Sequence, residues 1–133
     1  MRPTLVLSLA LWTALSGPAP AQDADDGAAI FARFCATCHG LAADGTGPMA
    51  GAMLIAPADL TGLSARNGGL FPVARVVARI DGRDPLVSHG SPMPVYGDFF
   101  AGRDAVTKSE AGQPIMTSRP ILDLLAWLQT IQR

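Results

Sequence analysis

Apolar positions recur at helical spacing in three stretches of the chain, and the segments between them break that spacing. Gly27, Ile30, Phe31 and Phe34 fall at i, i+3, i+4 and i+7, which predicts a first helix running into Cys35. Asp25 or Asp26 is its candidate N-cap, and Gly40 is its natural stop. Val73, Val76, Val77 and Ile80 share one face of a second candidate helix, and Arg75 and Arg79 form an exposed i,i+4 pair beside it. The β-branched residues there also suit a strand, but the apolar positions do not alternate. Ile121, Leu124, Leu125, Leu128 and Ile131 mark a terminal helix, with Ser118 as N-cap candidate and Pro120 in the first turn, where its missing N–H costs little. Its apolar face, with Trp127 beside it, is too broad to stand alone and should dock on the first helix.

The intervening segments carry Gly and Pro instead of periodicity. Between Leu41 and Leu63 stand Gly45, Gly47, Pro48, Gly51, Pro57 and Gly62, which predict a long loop with room for one short helical turn. Such a loop in a small domain normally wraps around something. Ser88 to Phe100 is again irregular, broken by Gly90, Pro92, Pro94 and Gly97. Phe99 to Gly102 reads as a helical turn, and Arg103 to Thr117 is polar with no assigned structure. Fourteen glycines and eleven prolines in 133 residues leave little room for long regular elements. A chain of this kind gains from a covalent or metal-centred organiser.

The extreme N-terminus changes the compartment. Arg2, an apolar run from Leu5 to Leu15 and Ala19-Pro20-Ala21 have the form of a cleaved secretory signal peptide over residues 1–21. The run is too short for a bilayer span. The expected functional unit is therefore one domain over residues 22–133, outside the cytoplasm and without stable membrane insertion. The formal net charge of the chain is −1, and no basic surface suggests nucleic acid. Lys108 is the only lysine, so a positive docking surface would have to be built from arginine.

Both cysteines of the chain lie in "CATCH", Cys35 to His39. A zinc site would draw on Cys35, Cys38, His39 and His89, yet His39 follows Cys38 directly and both could hardly reach one small ion. A redox dithiol belongs at a helix N-terminus, whereas this pair closes a helix and lacks a βαβ setting. A disulfide across two residues would close a very small loop and constrain little. Covalent haem fits better: two thiols form thioethers with the two vinyl groups, and the next residue supplies an axial imidazole. The other axial position is open to a thioether, an imidazole or nothing. Met93, stiffened by Pro92 and Pro94, is the first candidate. His89 and Met116 are alternates, and Met49 and Met53 are placed to line a haem crevice.

At this point the chain resembles the class I monohaem cytochromes c in their bacterial periplasmic form. The resemblance rests on Gly27-x-x-x-Phe31-x-x-x-Cys35-x-x-Cys38-His39-Gly40, on "GTGPMAGAMLIAPADLTGL", on "HGSPMPVYGDFF" and on "LLAWLQTIQ". Roughly Arg103 to Ser118 stands apart as an insert. The resemblance implies an all-α fold in which first and last helices cross, irregular loops wrap one haem c, and Gly27 lets the helices approach beside Phe31 and Trp127. It implies Cys35 and Cys38 as attachment residues, His39 and Met93 as iron ligands, and a carbonyl near Pro48 accepting a hydrogen bond from His39. Arg66, Arg75 and Arg83 are candidates for a haem propionate.

With both axial positions filled, the expected function is single-electron transfer, not catalysis. The expected partners are periplasmic redox proteins or membrane-bound respiratory complexes. A dedicated subunit of a larger dehydrogenase or oxidase would share this chemistry and add an exposed apolar patch. A haem enzyme or ligand sensor would instead need a labile sixth ligand.

Overall fold

The computed structural model describes residues 22–83 and 93–133. The leader expected at 1–21 lies outside the described residues, as do His89 and Pro92. Helix α1 (Ala24–Phe34) begins earlier than expected, because Asp23, not Asp25 or Asp26, is its cap. Its extended backbone lets its carboxylate accept from the amides of Asp25 and Asp26. Asp25 and Asp26 themselves lie in the first turn, where their charge meets the positive end of the helix. Cys35 bends the chain into the short α2 (Ala36–His39), which Gly40 closes at φ 76°. Helix α3 (Val73–Asp81) follows a long irregular stretch and ends at Gly82, also at positive φ. The last helix, α4 (Arg119–Thr130), has proline in its first turn as the sequence suggested. Ser118 stands at its cap position, but its hydroxyl makes no capping bond and is buried without a partner.

The helices α1 and α4 pack at backbone distance. A Cβ placed on Gly27 would lie 2.0 Å from the carbonyl oxygen of Asp123, so only glycine fits. One turn on, the rings of Phe31 and Trp127 meet at 4.3 Å. Phe31, Ile121, Leu124, Leu125 and Val77 are almost wholly buried and form the centre of the core. Within this apolar contact sits one buried carboxylate. Asp123 Oδ1 accepts from the Asp23 amide at 2.8 Å and from Arg119 Nε at 2.9 Å. The charge is thus paired and hydrogen-bonded, the condition under which burial is tolerated.

The fold is mostly helical but not all-α, which corrects the expectation. The polar stretch without assigned structure forms an antiparallel hairpin of β1 (Asp104–Lys108) and β2 (Pro114–Ser118), paired from Asp104↔Ser118 to Lys108↔Pro114. Its inward positions are Ala105, Thr107, Ile115 and Thr117, whereas Val106 and Met116 face solvent. Apolar side chains therefore stand on both faces and threonines on the inner one, which erases the period-two pattern that marks a strand.

Candidate functional site

The motif residues are held by the loop that follows them. The last carbonyls of a helix have no partner within it. Here the Thr37, Cys38 and His39 carbonyls accept from the amides of Met49, Gly47 and Gly45, at 2.9, 3.1 and 2.8 Å. Gly47 can make this approach because it lacks a side chain: a Cβ there would fall 2.5 Å from the Cys38 and Thr37 carbonyl oxygens. The Gly-rich segment is thus a backbone cap wrapped over Cys35–His39.

The His39 ring is fixed from further along the same loop. Its Nδ1 lies 2.9 Å from the carbonyl oxygen of Ala58, not from one near Pro48 as the resemblance implied. The region around Pro48 instead supplies the amide donors just described. A carbonyl only accepts, so Nδ1 carries the proton and Nε2 keeps its lone pair for a metal. Ala58 is itself well placed. Next to it, Asp59 accepts from the Thr61 amide and hydroxyl, Arg66 donates to the Asp59 carbonyl, and the Leu60 amide donates to Ala43. The two bonds from Thr61 hold the Asp59 carboxyl below the usual carboxylate range, as those from Thr46 do for Asp44.

Cys35, Cys38, His39 and Met93 line one cavity of about 470 Å³. The helices contribute Phe31, Phe34, Ile80 and Leu124 to its walls, and the long loop contributes Met53 and Ile55. Burial, and secondarily the neighbouring Cys38, pushes the Cys35 thiol up to about 11. Of the other methionines, Met53 also lines the cavity. Met49 and Met116 are exposed, Met116 on the hairpin.

Charged side chains at the cavity differ from the expectation. Among the three candidate arginines only Arg75 lines it, and Arg79, read as part of an exposed pair, lines it as well. Arg66 serves the Asp59 carbonyl, and Arg83 pairs with Asp81. Long arginine side chains can lay their apolar stems along apolar surface, and so reach a site from a position that looks solvent-facing. Tyr96 was not singled out either. Its hydroxyl donates to the Phe34 carbonyl at 3.1 Å, and burial raises its pKa. Its place shortly after Met93 was the available signal.

The residues fit a haem. The cavity is mostly apolar and of the size of a cofactor pocket. Two thiols, an imidazole with its outer nitrogen already bonded, a thioether and two guanidiniums all face it. No helix among the described residues is long and apolar enough to cross a membrane. Among curated proteins, and among solved structures, none matches the chain. A family model described as Cytochrome c matches residues 24–132. The chain, with its Cys35-x-x-Cys38-His39 motif and its haem-sized cavity, belongs to the cytochrome c family of haem-based electron-transfer proteins.

Proposed function

We propose that the protein is a periplasmic single-electron carrier holding one haem c through Cys35 and Cys38, with His39 and Met93 as the axial ligands. The observation that carries this reading is that these four side chains line a single, mostly apolar cavity. When bound, the haem supplies an iron that changes charge by one unit. The chain's own residues set the conditions. His39 donates from Nδ1 to Ala58, which orients the ring and makes Nε2 a stronger donor. Met93, as the second ligand, would supply a thioether, which favours the ferrous state. The apolar walls of Phe31, Phe34 and Leu124 exclude water and disfavour the added positive charge of the ferric form. Arg75 and Arg79 are the arginines that line the cavity and would stand nearest the two propionates. Export to the periplasm is supported by the leader-like residues 1–21.

The test is an absorption spectrum of the oxidised, periplasmically matured protein. A weak far-red band, the mark of methionine sulfur on ferric haem, is expected in the parent and lost in Met93→Ala. A haem spectrum without that band would move the ligand-sensor reading ahead, and no haem spectrum at all would overturn the assignment.

One observation favours a dedicated partner over free diffusion between several. Leu54 is fully exposed, Ile55 largely so and Met49 nearly half so, on the loop that also sends Met53 and Ile55 into the cavity wall. No charged residue stands between Asp44 and Asp59. An exposed, uncharged patch beside the haem site suits the electron-transfer subunit of a larger complex. Co-purification of the native protein with a stoichiometric partner would decide for it.

A further inference from the structure

We propose that the β1–β2 hairpin is a brace for the Met93 side of the cavity, and that Glu110 and Arg83 are its positioning residues. The proposal rests on the reading of Met93 as an iron ligand.

Helix α3 forms one wall of the cavity through Arg75, Val76, Arg79 and Ile80. It lacks the usual means of securing its own start. Its N-cap position is Pro72, which makes no capping bond, and its first turn has no acidic residue. The missing carboxylate comes from the hairpin tip: the Ala74 amide donates to Glu110 Oε2 at 3.3 Å. An anion at this end meets both a free amide and the positive end of the helix dipole.

The other end of α3 is tied to the same hairpin. Arg83 follows the Gly82 cap, and its Nε donates to Asp81 Oδ2 at 2.7 Å. Its Nη2 donates to the Met116 carbonyl of β2, also at 2.7 Å. The hairpin is in turn rooted in the domain: Ile115 and Ala105 pack against the core, and the Arg119 amide donates to the Arg103 carbonyl at 3.0 Å. One short sheet therefore grips both ends of one helix.

The chain that leaves Met93 is fastened to the gripped end. The Tyr96 amide donates to the Ile80 carbonyl at 2.8 Å. Gly97 sits so close that a Cβ would lie 2.4 Å from the Asp81 carbonyl oxygen, and Val95 packs on Gly82. The position of α3 is thus transmitted to the segment that carries the thioether. Loosening either grip lets Met93 yield more readily to a competing ligand, while His39, fixed by Ala58, is untouched.

Imidazole added to the ferric holoprotein, with the far-red band followed as it disappears, measures this directly. The parent, Glu110→Ala, Arg83→Ala, Arg83→Lys and the hairpin control Lys108→Ala are compared under conditions where each is fully folded. Glu110→Ala is expected to raise imidazole affinity about fivefold, which is what a lost cap of ordinary strength amounts to. Arg83→Ala is expected to do at least as much, Arg83→Lys to restore part of the difference, and Lys108→Ala to change nothing. A merely structural hairpin would lower the denaturation midpoint and leave imidazole affinity alone. Affinities within twofold of the parent in both alanine variants, with the band present, would overturn the brace alone. A parent protein lacking the band would overturn the ligand assignment, and the brace with it.

Discussion

Replacing Gly27 by alanine puts the contact between the first and last helices to a quantitative test. Two effects oppose each other. Alanine is the better helix former, worth about 1 kcal/mol in favour of the variant. Against this, the new methyl carbon would start 2.0 Å from the Asp123 carbonyl oxygen and 2.9 Å from the Cβ of Trp127. Carbon–oxygen contacts of this kind close at about 3.3 Å, so α1 and α4 must part locally by more than 1 Å. A backbone carbonyl inside a helix cannot swing aside as a flexible side chain can. The movement would also open the Phe31–Trp127 contact and stretch the 2.8 Å bond from the Asp23 amide to Asp123. Overpacking a core typically costs about 1–3 kcal/mol, and a weakened bond to a buried carboxylate adds about 1 kcal/mol. Net of the propensity gain, Gly27→Ala is expected to destabilise the holoprotein by about 2 kcal/mol. Guanidinium unfolding followed by circular dichroism reads this as a lower midpoint at unchanged slope. Gly51→Ala is the control: no atom lies within 4 Å of a Cβ there, and the change should stay within about 0.5 kcal/mol of the parent. A Gly27→Ala protein as stable as the parent would refute the reasoning, because the helices would then not be held at the distance that excludes a methyl group.

Three further outcomes follow from the site. Thr46 and Thr61 lower the carboxyl pKa values of Asp44 and Asp59 in the fold, so this stabilisation is present above the ordinary carboxylate pKa and is lost as pH falls through the lower, folded values. Denaturation midpoints should drop as pH is taken below about 4, and Asp59→Asn should flatten part of that slope. Removing a cation from the cavity wall with Arg79→Gln should lower the reduction potential by tens of millivolts, more at low salt, since a nearby positive charge favours the ferrous form. Spectroelectrochemistry at two ionic strengths checks it, and an unchanged potential would place the guanidinium outside the haem's field. Gly47→Ala would drive a Cβ into the Cys38 and Thr37 carbonyls, and should cost about 2–3 kcal/mol by overpacking. It should also reduce the yield of correctly matured holoprotein, measured by haem absorbance per mole of polypeptide.

The helices were legible because the residues that set their period are the ones they bury. Phe31 on α1, Val77 on α3 and Leu124 on α4 carry both the spacing and the core. The haem motif was legible for a different reason: its chemistry is contiguous in sequence. The partner of His39 was not, since a backbone carbonyl has no letter of its own. Ala58 is chosen by the turn that Asp59 and Thr61 build beside it, and the Pro48 region is already committed to capping α2. Arg79 was misread because helical spacing tells which face is apolar, not how far an arginine on the border of that face reaches.

The same distinction separates the two sides of the cavity. On the His39 side, the fixing bonds run from Thr37–His39 to Gly45–Met49 and on to Ala58, all within one stretch of loop. Those contacts close small loops, and the glycines that permit them are visible as letters. On the Met93 side, Tyr96 is tied to Ile80 at a similar range, but the bonds that hold α3 itself join residues farther apart in the chain: Glu110 to Ala74, and Arg83 to Met116. Nothing local in either segment announces the other. The hairpin pattern is hidden besides, by Val106 and Met116 facing outward where polar residues would be expected. Asp123 belongs to the same class, a carboxylate inside an apolar helix face whose partner amide, Asp23, lies at the opposite end of the described chain. Long loops cost more entropy to close than short ones, so the bonds that hold α3, and through it the described chain after Met93, carry a larger closing cost than the bond that fixes His39. A small change in the hairpin should therefore be felt at Met93 before it is felt at His39.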